Sequence, residues 1–265
     1  MQGSTVDAEA RPRNPAPSRP ALAPLRWRAM PSWHASFTTL PRRTPTDPTV
    51  ESGPASEAAP PLLVVAAFEP ELAPLRARLS VAAPWVEVHL ASLGVGLVAA
   101  ALAAQEVLAA RRYRAVLFVG TAGAYPGAGL RRGEVVVARR SRLADAAVVR
   151  READFVADCG AALDADPALV LALAQEGATP AEVATTLAVT THDALARALG
   201  TTAAAEHLET HAVAAAAQRA GVPWTAALGI ANDVGAAGRD QWRAHHHEAS
   251  EAVAAVVAAW LLDGE

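Results

Sequence analysis

The sequence predicts an α/β fold, a three-layer α/β/α sandwich whose central mixed, mostly parallel sheet is covered by helices on both faces. Three observations support this. From Pro61 onward, short apolar runs typical of strands alternate with longer segments typical of helices. PLLVVAAF (61–68) and AVLFVG (115–120) are apolar almost throughout, which is the pattern of strands buried on both faces. Hydrophobic residues make up 52% of the 265 residues, enough for one sizeable core.

The individual elements can be placed in order along this part of the chain. After the strand at 61–68, a helix is predicted from Pro70, with Leu72, Leu75 and Leu79 on its apolar side. The other predicted elements are a strand at 86–94, a helix at 95–112, a strand at 115–120, a turn at 121–129, a strand at 134–140, a helix at 167–176, a strand at 186–190, and then a helix at 192–199, a helix at 209–220, a strand at 224–230 and a helix at 247–262.

The chain is expected to divide at about residue 60. Residues 1–60 hold most of the prolines and many arginines and serines, and they show no strand or helix periodicity. We expect a disordered extension, because scattered apolar residues cannot offset the entropy of ordering the chain. A leader, a transit peptide or an over-extended start would each fit this composition. Residues 61–263 are expected to form the globular domain.

Charge and cysteine content exclude several classes of function. A net charge of -4 with dispersed arginines beyond residue 60 argues against a nucleic-acid surface. Cys159 is the single cysteine, so an intramolecular disulfide and a cysteine-rich metal site are excluded. No apolar run reaches the roughly 18–20 residues of a membrane span. We therefore expect a soluble, cytoplasmic protein that acts on a small molecule, with no membrane or nucleic-acid partner.

Polar residues at the ends of the predicted strands are candidate site residues, because ligands of open α/β sheets bind beyond the carboxyl ends of the strands. Glu69 and Glu71 directly follow the first strand. The strand at 115–120 runs into VGTAG (119–123), whose backbone N–H groups and Thr121 hydroxyl could hold a polar ligand. The last predicted strand runs into GIAND (229–233). A G-x-G-x-x-G dinucleotide fingerprint is absent from the sequence.

The segment HLETH (207–211) places two histidines four residues apart around Glu209. In zinc proteases the glutamate directly follows the first histidine, whereas here it comes one place later, about 100° further around a helix. The pattern leaves a metal site open but favours a polar helix start with two solvated histidines. The run His245-His246-His247 is also interpreted as a polar helix start, since consecutive helical residues diverge by about 100°. No cofactor is expected.

Taken together and in order, these motifs resemble the purine nucleoside phosphorylase and nucleosidase superfamily over about residues 61–263. No single motif is specific, but their order along the chain is. The matching segments are AAFEPEL (66–72), SLGVGLVAAA (92–101), VGTAGA (119–124), RRGEVVV (131–137), ADAAV (144–148), HLETHAVA (207–214) and GIAND (229–233).

The resemblance implies roles for the candidate residues. Glu71 matches the family's catalytic glutamate, which positions and deprotonates the attacking water in the hydrolases, and Glu69 is then a structural neighbour. Glu209 matches the glutamate that accepts hydrogen bonds from the ribose hydroxyls, with Leu208 beside it, and no metal is bound. The remaining residues expected to bind substrate are Thr121, Ala122 and Gly123.

Two departures from the family pattern narrow the expected reaction. Phe118 stands where phosphate-using phosphorylases usually carry an arginine, so water is the expected nucleophile. Asn232, expected to act on the base, stands where adenine-specific nucleosidases have an aspartic acid. An amide cannot transfer a proton, but it can hydrogen-bond N7 and the 6-oxo group of hypoxanthine. The outline ANDVGAAGRDQW (231–242) also resembles the futalosine hydrolase branch, which releases hypoxanthine in menaquinone biosynthesis.

Two alternatives remain open at this point. Leu97, Ala99 and Ala231 replace a lysine, an asparagine and a serine usual in that branch, so the chain could be an inactive family member that binds a nucleoside. A methylthioadenosine/S-adenosylhomocysteine nucleosidase would instead need Asp233 as the acid. In each case the expected partner is a purine nucleoside, and the resemblance implies a homo-oligomer.

Overall fold

The structure, a computed structural model, describes residues 37–40 and 59–263, and the element boundaries below refer to those ranges. The strands are β1 (Phe37–Leu40), β2 (Leu62–Ala66), β3 (Val88–Ser92), β4 (Ala115–Ala124), β5 (Val135–Leu143), β6 (Leu163–Asp164), β7 (Thr179–Thr185), β8 (Ala205–His207) and β9 (Trp224–Asp233). The helices are α1 (Glu69–Val81), α2 (Leu97–Ala110), α3 (Ala146–Val149), α4 (Pro167–Gln175), α5 (Asp193–Leu199), α6 (Thr210–Ala220) and α7 (Gly238–Asp263), with a 3-10 turn at Ala157–Gly160.

All these strands join one mixed sheet, which confirms the α/β class predicted from the sequence. One half runs β1-β3-β2-β4, with β2 parallel to both β3 and β4. Beyond β4 the pairing passes through β9, β5, β7 and β8 and then returns to β4. This half of the sheet therefore closes on itself. The three-layer sandwich predicted from the sequence does not include this closure, because the strand pairings that produce it join distant parts of the chain.

Helices pack on both faces of the β2-β4-β9 region and bury its apolar side chains. On one face, α1 contributes Leu72 and Leu75, which share a core cluster with Val257 and Leu261 of α7. On the other face, α2 and α6 pack together through small residues such as Ala104 and Ala217. Since every residue of β4 is buried, the strand has no solvent-facing side and is fixed by its neighbours on all sides.

Helix α7 lies unusually close to β9 at Gly229. This glycine belongs to the middle of β9, and a Cβ atom built on it would collide with the carbonyl oxygen of Ala249 in α7. The absence of a side chain therefore sets the distance between the helix and the strand. The same strand carries Asn232 near its end, so this packing also helps to position the candidate site.

Several predicted elements differ from those observed. The predicted strand at 186–190 is a loop. The strand is β7, which starts seven residues and ends five residues earlier, and Val183 and Thr185 in it are buried by pairing with β5 and β8. The predicted turn at 121–129 starts too early, because β4 continues to Ala124 by pairing with β9 and β8. Helix α7 begins at Gly238 instead of 247, so the histidine run lies inside it.

One part of the predicted N-terminal extension is ordered. Phe37–Leu40 form the edge strand β1, antiparallel to β3, with Thr39 opposite His89. The sequence FTTL is rich in aromatic and β-branched residues, which suit an edge strand, although composition alone suggested disorder. Predictions for residues 1–36 and 41–58 lie outside the described residues. Within the described ranges, the helices are too short or too polar to cross a membrane.

Replacing Gly229 with alanine tests the close contact between β9 and α7. The added methyl group meets the Ala249 backbone, which cannot rotate away, so the helix must move. We expect Gly229→Ala to lower the free energy of unfolding by about 1–3 kcal/mol, measured by urea denaturation. A far-UV circular dichroism spectrum like that of the wild type shows that the variant is folded. Unchanged stability would mean that α7 is free to shift on the sheet.

Candidate active site

Four of the residues predicted from the sequence, Glu71, Thr121, Glu209 and Asn232, lie close together around the carboxyl end of β4. Glu71 lies in the first turn of α1, just after β2, and contacts Thr121 in β4. Glu209 precedes α6, just after β8, and its negative charge raises the pKa of Glu71. Asn232 lies near the end of β9 and is paired with Gly123 of β4. Because β2, β4 and β9 are parallel, their carboxyl ends share one edge of the sheet, which brings these groups together.

The Glu71 carboxyl is the most deeply constrained group of the site. Its Oε1 accepts hydrogen bonds from the backbone N–H and the hydroxyl of Thr121, each at 3.0 Å. Its Oε2 is buried and has no hydrogen-bond partner among the described residues. Burial raises the pKa of Glu71 to about 8; the Thr121 hydrogen bonds oppose this rise, and the negative charge of Glu209 adds to it. Glu71 can therefore exchange a proton near neutral pH.

Thr121 also contacts helix α7. The indole N–H of Trp242 donates to the Thr121 hydroxyl oxygen at 3.0 Å, so the hydroxyl lies between Trp242 and Glu71. Thr121 was predicted to bind substrate, but both its backbone N–H and its hydroxyl are directed to Glu71. The structure therefore gives Thr121 a role in holding Glu71. Ala122 and Gly123 follow it in β4, as parts of a strand and not of a turn.

The Glu209 carboxylate is held at the start of two helices. Its Oε1 accepts a hydrogen bond of 2.6 Å from the backbone N–H of Gly96, the residue that precedes α2. Gly96 has a φ of +92°, a conformation that side chains other than glycine rarely adopt, so glycine is needed there. Burial raises the pKa of Glu209 to about 7, while the Gly96 hydrogen bond lowers it. Leu208, predicted to lie beside the substrate, is half-buried.

His207 explains part of the HLETH motif. Its Nδ1 accepts hydrogen bonds from the backbone N–H groups of Glu209 and Thr210, at 3.2 and 3.1 Å, and lies 2.8 Å from the Thr210 hydroxyl. An acceptor Nδ1 places the ring proton on Nε2, which lies 3.3 Å from Glu209 Oε2. Burial lowers the pKa of His207 to about 3, so the ring is neutral. His207 thus caps the start of α6 from the preceding strand.

The prediction of two solvated histidines in HLETH is wrong. His207 is 5% exposed and His211 is 8% exposed, because the start of α6 is packed under β7 and β5. Burial also lowers the pKa of His211. His245–His247 lie inside α7, where His246 stacks on Trp242 at 4.5 Å between ring centroids. Within the described part of the chain, no three His, Cys, Asp or Glu side chains are grouped so that they could hold a metal ion.

Asn232 owes its position to a β-bulge. Ile230 pairs with Ala122 and Asn232 with Gly123, so Ala231 is an extra residue in β9. Such bulges redirect side chains and are common beside active sites. A Cβ atom on Gly123 would lie only 2.8 Å from Asn232 Nδ2, so the amide lies directly over this glycine. The amide donates one N–H to the backbone oxygen of Asp233 at 2.9 Å, which leaves its second N–H and its carbonyl oxygen available to a ligand.

Asp233 has a different environment. It is exposed, and its carboxylate forms an ion pair with Arg132 at 2.7 Å and accepts from Gln241 at 3.2 Å. Asp233, the acid that an adenine-specific nucleosidase would require, is therefore bound to Arg132 and Gln241 at the surface. Glu69 likewise binds a partner of its own, the guanidinium of Arg76, as expected for a structural neighbour of Glu71.

Two surface depressions lie away from these carboxylates. One, of about 300 Å³, is lined by residues around Asp164 and Gly221, and the other, of about 490 Å³, by residues around Arg139 and Thr201. Neither collects buried ionisable groups with raised pKa values, which are the mark of reactive sites. The site at Glu71 and Glu209 is therefore the better candidate for catalysis.

Sequence analysis missed three residues that hold the site. Gly96 was noted only as part of a glycine motif, and its conformation gives the reason for that glycine. The sequence predicts a solvated His207, because nothing local indicates its burial. Trp242 was noted only within the segment 231–242. It reaches Thr121 from a helix that begins more than a hundred residues later, a contact that no local pattern predicts.

Comparison with known proteins identifies the family of the chain and solved structures with a similar fold. The sequence profile of the phosphorylase superfamily matches residues 63–262. No curated protein matches the chain. A methylthioadenosine/S-adenosylhomocysteine nucleosidase from Colwellia psychrerythraea, solved in complex with adenine, is 22% identical with a TM-score of 0.68, over 77% of this chain and 95% of that chain.

Two further solved structures have similar folds. Native futalosine hydrolase from Helicobacter pylori is 16% identical with a TM-score of 0.68, over 78% of this chain and 99% of that chain. An S-adenosylhomocysteine nucleosidase from Streptococcus pyogenes, in complex with 5-methylthiotubericidin, is 22% identical with a TM-score of 0.69, over 80% of this chain and 99% of that chain. At these identities the similarity extends to the fold alone.

The raised pKa of Glu71 predicts a pH-dependent loss of stability. The carboxyl ionises near 4.5 when unfolded and near 8 when folded, so its contribution to stability is lost as the pH rises through this range. Glu71→Gln stays neutral. We expect the Tm of the wild type to fall relative to that of the variant between about pH 5 and about pH 8. Thermal denaturation across this range measures the difference, and a constant difference would contradict the burial of Glu71.

The cap formed by His207 is tested by two substitutions. His207→Ala leaves the donors at the start of α6 without their acceptor and is expected to cost about 1–2 kcal/mol of unfolding free energy. His207→Asn places an amide oxygen where Nδ1 lies, which suits a helix start, so it is expected to cost less than half as much. Urea denaturation compares them. Equal losses would show that the ring stabilises the protein through packing instead.

Proposed function

The chain belongs to the phosphorylase superfamily, and we propose that it is a nucleosidase that hydrolyses the N-glycosidic bond of a purine nucleoside. The family match confirms the resemblance first seen in the sequence motifs. The observation that carries the proposal is the Glu71 carboxyl, which has two donors on Oε1 and none among the described residues on its buried Oε2. A carboxylate held in this way can take a proton from water at one defined oxygen.

In this proposal Glu71 is the general base. Water attacks C1′ of the ribose, its proton passes to Glu71 Oε2, and the C1′–N9 bond breaks with its electron pair going to the purine. Burial raises the pKa of Glu71 to about 8, so its charged form is a strong base that is partly populated at neutral pH. The remaining proton of the attacking water stays on the new C1′ hydroxyl. The departing purine takes a proton from solvent, and Glu71 returns its proton to solvent.

Glu209 is proposed to bind the sugar. Its Oε1 already accepts from Gly96, but each carboxylate oxygen has two lone pairs, so both oxygens retain capacity for a ribose hydroxyl. A carboxylate is the acceptor that two vicinal hydroxyls match, and the buried site strengthens such bonds. With Leu208 half-buried beside it, the start of α6 offers an apolar and a polar contact to the same sugar.

Water is the proposed nucleophile because the position at which phosphorylases carry a cation holds Phe118. This side chain is fully buried in the core, and its ring packs edge-on against His207 at 4.9 Å between centroids. An apolar side chain there offers no charge to a phosphate ion, whereas water needs only a base and a polar contact.

The bound purine is proposed to be hypoxanthine, with futalosine as the substrate and dehypoxanthinyl futalosine as the other product. Asn232 of β9 pairs with Gly123, which lies two residues beyond Thr121 in β4, roughly 6.6 Å along the strand. Asn232 can therefore meet the base while Glu71 meets the sugar. Its amide can donate to N7 or to the 6-oxo group of an oxopurine. The alternative acid, Asp233, is exposed and paired with Arg132.

An assay of released base tests the function and the substrate together. The protein is incubated with futalosine, inosine, methylthioadenosine and S-adenosylhomocysteine, each with and without phosphate, with Glu71→Gln as the control. We expect hypoxanthine from futalosine in equal amounts with and without phosphate, and none from the control. Adenine from methylthioadenosine would indicate the adenine-type nucleosidase instead. No free base from any nucleoside would indicate an inactive nucleoside-binding protein.

The identity of residue 232 is predicted to set the choice of base. Asn232→Asp should weaken hydrolysis of futalosine by at least about tenfold, because a carboxylate repels the 6-oxo oxygen and loses a hydrogen bond. The same change should raise activity on adenine nucleosides, since a carboxylic acid can protonate N7. Asp233→Asn is the matched control, and we expect it to change kcat/KM by less than about twofold. The reverse pattern would make Asp233 the acid.

A further inference from the structure

Glu71 is linked to helix α7 through an ordered chain of hydrogen bonds. The indole N–H of Trp242 donates to the hydroxyl oxygen of Thr121 at 3.0 Å, and that hydroxyl lies 3.0 Å from Glu71 Oε1. An indole N–H is a donor only. The Thr121 oxygen therefore accepts from Trp242, and the hydroxyl proton is directed to Glu71. The backbone N–H of Thr121 donates to the same carboxyl oxygen.

We infer that Trp242 is a positioning residue for hydrolysis, which fixes the Thr121 hydroxyl and so determines which oxygen of Glu71 exchanges the proton. With two donors on Oε1, a proton on the carboxyl is confined to Oε2. Without the indole N–H, the Thr121 hydroxyl can rotate and accept a hydrogen bond from a protonated Oε1 instead. The inference rests on the proposed function in that Glu71 is taken as the base.

The orientation of the Trp242 ring is itself fixed within α7. His246, one turn later, stacks on it with 4.5 Å between ring centroids and 19° between ring planes. Its Nδ1 lies 3.0 Å from the Trp242 backbone oxygen, which can only accept, so the ring proton of His246 is on Nδ1. The second histidine of the run thus supports the indole that reaches Thr121, a role that the histidine run did not suggest.

The charged group that faces Glu71 from another element is Glu209, at the start of α6. Its charge and burial raise the pKa of Glu71, while the Thr121 hydroxyl lowers it by stabilising the charged form. Removing the donated hydrogen bond should therefore move the rising limb of the pH profile of kcat/KM to higher pH. Glu209 is unchanged in the variants below, so it affects all of them equally.

The test is a double-mutant cycle of Trp242→Phe and Thr121→Val. Trp242→Phe keeps an aromatic ring but has no N–H, and we expect it to lower kcat by about fivefold to tenfold. Thr121→Val should lower kcat further and shift the rising limb of the kcat/KM profile to higher pH. Thr121→Ser should return this limb to its wild-type position. Because Trp242 acts through Thr121, adding Trp242→Phe to Thr121→Val should cause no further loss.

Trp85→Phe is the matched control. It removes an indole N–H that donates to the Trp260 backbone oxygen at 3.2 Å, far from Glu71, and should leave kcat and the pH profile unchanged. Additive losses in the double mutant, or a kcat for Trp242→Phe within about twofold of the wild type with an unshifted limb, would overturn the inference.

A readout independent of activity separates this inference from the proposed function. The pKa of Glu71 is measured by ¹³C NMR of its carboxyl carbon in the wild type, in Trp242→Phe and in Thr121→Val. We expect the pKa to rise in both variants, more in Thr121→Val. Equal values in all three would overturn the role of Trp242 even if nucleosides are hydrolysed. Conversely, a raised pKa in a protein that releases no base would refute only the function.

Discussion

The two hydrogen bonds from Thr121 to Glu71 are the interaction on which the rest of the site depends. They join the strand at the centre of the sheet to the first turn of α1. Without them, a buried carboxyl would lose the hydrogen bonds that orient it and that stabilise its charged form. They also make the carboxyl asymmetric, because both donors go to one oxygen. The reactivity proposed for Glu71 is a property of this arrangement and not of a glutamate as such.

A second constraint is that two carboxylates are buried so close together that the charge of Glu209 raises the pKa of Glu71. Glu71 and Glu209 both have raised pKa values, to about 8 and about 7. At neutral pH the pair therefore holds roughly one proton, and its titration belongs to both groups together. Folding carries the cost of this arrangement, since neither charge has a cationic partner among its hydrogen-bonded contacts. Such costs are common where binding and catalysis need groups that the fold itself would not favour.

Local patterns predicted most helices and strands, because an element that buries one face has apolar residues at regular spacing in the sequence. Leu72, Leu75 and Leu79 are an example: all three are buried in α1. Contacts between distant segments produce no such local pattern. β7 contains Pro180 and the half-buried Glu182, which make it look unlike a strand, and only its pairing with β5 and β8 makes it one. The neutral, buried state of His207 is likewise set by the start of α6 and by Phe118.

The closed half of the sheet has a consequence for how the chain folds. Val116 of β4 pairs with Trp224 of β9, and Gly123 pairs with Glu206 of β8, so β4 finds most of its partners late in the sequence. Pairings between such distant segments require large loops to close first, which slows folding. During synthesis, the apolar edge of β4 that pairs with β8 and β9 stays uncovered until the last third of the chain has emerged. The interval before β8 and β9 pair with β4 is therefore when the unpaired strand is most exposed to aggregation.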